Sequence, residues 1–203
     1  MVLVITGSPG VGKHTIANEV LHSNGYEMLD INQIANEKNF IEHNEGVKEV
    51  DVDQFKEYLD DIVTEKSLVV GHLSPYLLSG RNIKSAIVLR KNPYKLFDIY
   101  QKRGYAEKKT KENLGSEILG IITNDAINSF GQDKTFQIDA SEYTPREVVS
   151  RIDNIIDRND AGDDVDWLPL IQEKNDFKTL SLIHISEPTR PLYISYAVFC
   201  LKK

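Results

Sequence analysis

Val2-Leu-Val-Ile-Thr6 runs into Gly7-Ser-Pro-Gly-Val-Gly12-Lys13, and Ile16, Ala17, Val20 and Leu21 follow at helical spacing; this stretch decides the fold. Residues 2–6 are apolar and β-branched, which suits a buried strand. The glycines after them let the backbone curl until successive N–H groups point inward. The helix that opens behind aims its positive end at the same spot. Lys13 adds a mobile point charge for the outer phosphates of a nucleotide. Strand, glycine-rich turn, Lys and helix in this order form a phosphate-binding loop. The plain alternative, an ordinary βα turn with a chance Lys, accounts for neither the spacing nor the context. At the next position, where such loops carry a Ser or Thr hydroxyl for magnesium, stands His14, followed by Thr15. A neutral imidazole is a poor ligand for Mg²⁺, which prefers hard oxygen donors.

Outward from the loop, strands and helices alternate. Gly25 ends the first helix, and Tyr26 to Leu29 reads as a second strand ending at Asp30. Residues 31–50 look polar and irregular, with a helical turn or two near Ile34-Ala35. Val52, Phe55, Leu59, Ile62 and Val63 predict an amphipathic helix, with Asp51 or Asp53 as its cap. Leu68-Val-Val70 is a strand core closed by Gly71-His72, residues 73–82 read as a loop, and Ile83 to Arg90 is a strand. A helix follows from Pro93 to about Arg103, then the highly charged segment 102–112. Leu114 to Ile127 reads as one long helix, Thr135 to Ile138 as a last strand, and Thr144-Pro145 as the start of a final helix. Beyond a polar linker, Trp167 is placed to dock back on the core. Alternation of this kind predicts an α/β fold with a five-stranded parallel sheet covered by helices on both faces. Ligands bind beyond the carboxyl ends of such strands.

Those strand ends carry the candidate chemistry. Arg90 closes a strand and has the planar, permanent charge of a bidentate phosphate clamp; a structural salt bridge is the competing role. Arg103 stands at the mouth of the Gly-broken segment 102–112, which suits a mobile lid, although a charge run is ordinarily a solvated face. His72 is placed to orient water or contact phosphate, against the ordinary role of a hydrogen-bonded structural His. For magnesium, Thr15 and Asp30 are the candidates, Asp30 through metal-bound water, unless it simply caps the helix that follows.

The chain has 203 residues and a net charge of −7, which argues against a whole-surface grip on nucleic acid. No apolar run approaches membrane-spanning length, and the apolar N-terminus leads straight into the phosphate loop; a cytoplasmic protein with no membrane partner is the expectation. Residues 180–203 resemble the translation of a sequencing-library adapter followed by its primer, and so are set apart as a non-native tail. Removing that tail's three basic and one acidic side chains from the chain's 24 and 31 leaves 21 and 30, a net charge of −9. The single cysteine, Cys200, lies in the tail, so 1–179 offers neither a disulfide nor a thiol nucleophile.

Taken together, Gly7–Lys13, Gly71-His72-Leu-Ser74, Val88-Leu-Arg90, Lys102-Arg-Gly-Tyr105 with Glu112-Asn113, and Val165-Asp-Trp-Leu168 resemble the archaeal branch of the adenylate kinase isoenzyme 6 (CINAP) family. The resemblance spans essentially all of 1–179. It implies a P-loop NTPase with an adenylate-kinase-like core, a monophosphate-binding segment over 30–50 and a lid over 102–112. It implies ATP contacts at Gly7, Gly10, Val11, Gly12, Lys13, His14 and Thr15, with Arg103 as lid arginine; Lys13, His72, Arg90 and Arg103 are the catalytic candidates. The activity implied is phosphate transfer between ATP and AMP or another nucleoside monophosphate, with Mg²⁺ held mainly by phosphates and water, beside ATP hydrolysis. Transient engagement of ribosomal protein uS11 and the pre-small-subunit particle, in late 16S rRNA maturation, is also implied. The chain departs from the family at His14, commonly Thr, and at Val70-Gly71-His72, commonly Asp-x-His. Its monophosphate segment carries no Arg, leaving Lys38 and Lys48 as the firm cations. These departures keep open a second reading, a nucleotide-switched assembly factor with little turnover, and a third, a P-loop kinase for an unrelated metabolite.

Overall fold

A computed structural model describes residues 2–44, 47–78, 81, 83–176 and 200–202, with side chains at 22–24, 41–49 and 200–202 left out of account. Five strands, β1 (Val2–Gly7), β2 (Glu27–Asp30), β5 (Ser67–Val70), β6 (Ile83–Arg90) and β7 (Thr135–Asp139), form one sheet. Its order is β2-β5-β1-β6-β7 with every pairing parallel. β1 therefore sits at the centre, flanked by β5 and β6, and the phosphate loop leaves from the middle of the sheet's carboxyl edge.

Both faces are buried, which is why the strands read as unbroken apolar runs instead of alternating ones. The side-chain period of two divides each run between two cores. Leu3, Ile5, Leu68, Val70, Ile87 and Leu89 enter one core, with α1 (Lys13–Asn24), α5 (Pro93–Lys102), α6 (Glu107–Ile118), α8 (Pro145–Ile156) and α9 (Leu168–Glu173). Val2, Val4, Val69, Ala86 and Val88 enter the other, with α2 (Ile31–Glu37), α3 (Val52–Ile62), α4 (Ser74–Leu77) and α7 (Ile121–Phe130).

Local chemistry sets the boundaries. Asp51 caps α3 by accepting from the Gln54 N–H at 3.0 Å, Asn92 caps α5 through Tyr94 N–H at 3.0 Å, and Thr144 and Glu147 form a reciprocal capping box on α8. Four expectations are corrected. The segment 31–50 holds α2 and an antiparallel pair, β3 (Ile41–Asn44) and β4 (Val47–Asp51), rather than irregular chain. Residues 73–82 include a helix, because Pro75 falls in the first turn of α4, where its missing N–H costs nothing. The single long helix over 114–127 is two, since Gly120 turns left-handed at φ 63° between α6 and α7. The helix expected from Leu114 starts earlier, at Glu107, within the charged segment and after a tight turn at Gly104. A short strand, β8 (Cys200–Lys202), pairs with β4 in a second, three-stranded sheet. The rest of the proposed tail, apart from those three residues, lies outside the described residues.

Candidate nucleotide-binding site

The loop from β1 to α1 is built around a close backbone approach. Gly7 has φ 138°, and a Cβ there would stand 2.3 Å from the Leu89 carbonyl oxygen of β6. Only glycine lets β1 turn out of the sheet so near its neighbour. Lys13, in the first turn of α1, folds back and donates from Nζ to Gly7 O at 2.9 Å and Ser8 O at 3.0 Å. An ammonium has three N–H bonds, so one is left for an anion in the loop. Burial lowers the Lys13 pKa from 10.5 to about 8, against the opposing pull of Glu117 and Asp30.

The loop opens into a cleft of about 410 Å³ lined by Gly10, Gly12, Lys13, His14, Thr15, His72, Arg103 and Lys109, with Asn32 and Asn36 on the opposite wall. Of the sequence candidates, Lys13, His14, Thr15, His72 and Arg103 are thus brought together. His72, immediately after Gly71 at the end of β5, is buried, and burial with the nearby Lys13 and Lys109 charges drives its pKa down to about 3. It is therefore a neutral imidazole at working pH, suited to orienting a water or phosphate oxygen and too weakly basic to take a proton near pH 7.

Asp30, at the end of β2, does two things. Its Oδ1 accepts from the Asn32 N–H at 2.8 Å and the Gln33 N–H at 3.1 Å, capping α2. Its Oδ2 lies 2.5 Å from His14 Nε2. Thr15 lines the cleft, while Asp30 lies outside its lining and reaches it only through the pair with His14, so the hard oxygen donors near the loop that a magnesium ion would prefer are the Thr15 hydroxyl and the Asp30 carboxylate.

Arg90 is placed elsewhere. Its side chain is 3% exposed and does not line the cleft. Nε donates to Glu117 Oε1 at 2.8 Å and Nη2 to Glu117 O at 2.6 Å, while Nη1 reaches Thr123 Oγ1 at 3.3 Å, Val165 O at 3.3 Å and the Gln137 side-chain oxygen. A strand-end position alone does not say whether a guanidinium turns outward to ligand or inward to a buried acid. The inward choice is explained by Glu117, a charge that needs an opposite one when buried; removing either partner costs about 3–5 kcal/mol.

Several lining residues carried no sequence signal strong enough to single them out. Asn32 and Asn36 are i, i+4 neighbours on α2, and the Asn36 amide nitrogen donates to Asn32 O at 2.6 Å. Tyr105 stacks on Tyr100 at 5.2 Å, Lys109 sits 4.4 Å over the Tyr105 ring, and the Tyr100 hydroxyl donates to Pro9 O at 2.6 Å. The segment after Gly104 is thereby stitched to the phosphate loop through two rings. Glu117 was legible only as an acid at an apolar-spaced position, between Leu114 and Ile118.

A phosphate loop at the centre of a five-stranded parallel sheet, with Arg103 and Lys109 lining the same cleft, defines a P-loop NTPase fold with an adenylate-kinase-like core. A family model described as "AAA domain" matches residues 3–120. Archaeal proteins that bear the name "Putative adenylate kinase" match along most of the chain. The one from Methanococcus maripaludis (strain C7) is 33% identical over 83% of this chain and 96% of its own length. The one from Thermococcus kodakarensis is 35% identical over 78% and 86%. The protein belongs to this archaeal adenylate-kinase-like family. Among solved structures, shikimate kinase from Aquifex aeolicus aligns with 78% of this chain and 98% of its own at 14% identity, with a TM-score of 0.45.

Proposed function

We propose that the protein is an ATP-dependent nucleoside monophosphate kinase, adenylate kinase by preference, with accompanying ATPase activity. The observation that carries this reading is the cleft itself, which gathers Lys13, His72, Arg103 and Lys109 around one opening of the phosphate loop. Phosphoryl transfer asks for little covalent chemistry from a protein; it needs phosphates positioned, charge neutralised and water kept out. The loop amides and the free N–H of Lys13 hold the outer phosphates. Arg103, exposed at the C-terminal end of α5 beside the Gly104 turn, closes over them with Lys109. Neutral His72 orients the incoming oxygen. The wall of α2, with Asn32 and Asn36, takes the acceptor nucleotide. Magnesium, when bound with ATP, offsets phosphate charge, and Thr15 and Asp30 are the residues that would hold it, chiefly through water.

Descriptions of the archaeal relatives as adenylate kinases support the acceptor class. The place of this activity in late small-subunit maturation, with transient binding to uS11 and the pre-small-subunit particle, rests on the family resemblance of 1–179. Treating 180–203 as foreign rests on its resemblance to a translated library adapter, and a cytoplasmic location on the absence of a membrane-length apolar run in the sequence; among the described residues no helix is long and apolar enough to cross a membrane.

A second reading is favoured by the His14–Asp30 contact, which occupies one oxygen on the magnesium side. In that reading ATP binds and sets a conformation, with little turnover. ADP production from Mg·ATP by residues 1–179, with and without AMP and beside Lys13→Ala, separates the two. AMP-stimulated turnover lost in the variant establishes the kinase. Turnover indifferent to AMP leaves the ATPase. Calorimetric ATP binding without turnover moves the protein to the switch class.

A further inference from the structure

Glu117 lies away from the lining of the cleft, yet it touches the phosphate loop. It is 1% exposed, on the inner face of α6. Its carboxylate accepts four hydrogen bonds from three parts of the chain. Oε2 accepts from the Ser8 hydroxyl at 2.6 Å. Oε1 accepts from Arg90 Nε at 2.8 Å, from the Lys91 N–H at 3.1 Å and from the Trp167 indole Nε1–H at 3.0 Å. Ser8 belongs to the loop, Arg90 and Lys91 to the end of β6, and Trp167 to the start of α9. The C-terminal segment is held near the same place twice more, by Val165 O on Arg90 and by Asp176 on the Tyr94 hydroxyl of α5 at 2.8 Å.

We propose that Glu117 is a positioning residue that couples the C-terminal segment 165–176 to the phosphate loop. The path has three links. Lys13 donates to the Ser8 carbonyl, the Ser8 hydroxyl donates to Glu117, and Glu117 accepts from Trp167. When the remaining N–H of Lys13 takes a bound phosphate, the ammonium is drawn toward the anion and pulls on the Ser8 carbonyl it still holds, so the loop re-seats. The Ser8 hydroxyl carries the change to the carboxylate, and the carboxylate to the indole. Linkage makes the relation reciprocal: whatever strengthens the Trp167 contact strengthens nucleotide binding by the same factor. A partner that grips the C-terminal segment therefore tunes the loop without entering the cleft. This inference rests on the loop binding nucleotide.

The chain has one tryptophan, so the reporter is built in. The full chain is titrated with ADP, followed by tryptophan emission and, in parallel, by calorimetry. The expected result is an emission change that saturates at the calorimetric Kd. Ser8→Ala weakens ADP about threefold to tenfold by calorimetry and, at calorimetric saturation, loses the emission response, because its hydroxyl link is cut. Trp167→Phe keeps an aromatic ring, leaves Arg90 and Lys91 on the carboxylate, and weakens ADP about threefold to tenfold. Glu117→Gln weakens it about tenfold or more. ADP saturation seen by calorimetry with a silent Trp167 overturns the coupling and leaves the functional reading intact. So does a Trp167→Phe affinity within twofold of the parent. A parent chain that binds no ADP by calorimetry overturns both.

Discussion

In the proposed reading Lys13 holds the outer phosphates, and its burial has a consequence for pH. In the folded chain its pKa is lowered to about 8 by burial, so the ammonium is largely charged at pH 7 and neutral by pH 9. Binding of ADP, measured by calorimetry at fixed ionic strength, is expected to weaken as pH rises through about 8, by up to about tenfold per unit. Lys13→Ala binds more weakly at pH 7 and shows no such fall. For stability the sign is opposite. The folded state binds its proton less tightly than the unfolded chain, whose Lys titrates near its ordinary 10.5, so this group's penalty is full below about pH 8 and disappears as pH rises toward 10.5. His72, with its pKa near 3, contributes no limb to a rate profile between pH 5 and 8. Gly71 beside it has an ordinary φ, but a Cβ there would meet Ile31 Cβ at 2.7 Å. Gly71→Ala is expected to push α2 off β5, costing about 1–3 kcal/mol in denaturant melts and weakening the AMP side more than the ATP side. The loop glycines and Lys13 were legible because one short motif holds all their chemistry. Arg90 was not, since its partner Glu117 lies 27 positions away on another helix.

Elements were read well where a cap or an apolar period marked them, and poorly where neither did. The helix at 145–156 shows both: Thr144 and Glu147 close its start and Val148, Val149, Ile152 and Ile155 bury its face. Thr144→Ala removes the hydroxyl that accepts from the Glu147 N–H, and should cost about 1 kcal/mol, read as a lowered urea midpoint with unchanged slope. Glu147 itself is fully exposed, and the Thr144 backbone and hydroxyl hold its pKa below the usual carboxylate value. That contribution is present above the unfolded pKa and is lost as pH falls through the lowered one. By contrast β3 and β4 are four- and five-residue strands rich in Glu, His, Asn and Lys, with too little apolar alternation to announce a hairpin. The join of α6 and α7 was hidden because apolar spacing runs on through Leu119, Ile121 and Ile122, and only the backbone turn at Gly120 breaks it. Residues 102–112 show in sequence only as a charge run. Its Glu107–Lys111 pair at 2.6 Å, one helical turn apart, shows that such a run serves equally as the solvated face of a helix.

At the scale of the molecule, the two cores are what the alternation of strands and helices fixes in advance. A sheet buried on both faces needs helices on both, and the order of elements leaves few ways to supply them. The assignment of each helix to a face follows from apolar stripes such as Phe55 and Leu59 on one side and Val148 and Ile152 on the other. Among the described residues, both cores close between Val2 and Ile171. That bears on the tail. Its described contact is the pairing of Cys200, Leu201 and Lys202 with Glu49, Val50 and Asp51, on the small sheet rather than the main one. Three backbone pairings at the rim of a short hairpin add little against the chain entropy of ordering them, about 1–2 kcal/mol per residue. A chain cut after Thr179 is therefore expected to melt within about 2 °C of the full chain and to bind ADP with the same Kd. For a chain of this size, 1 kcal/mol moves the midpoint by about 2–4 °C, so a fall beyond about 4 °C would make the 200–202 strand a working part of the fold. The tail would then belong to the native chain, and the net charge relevant to partners would be the −7 of the whole instead of the −9 of residues 1–179.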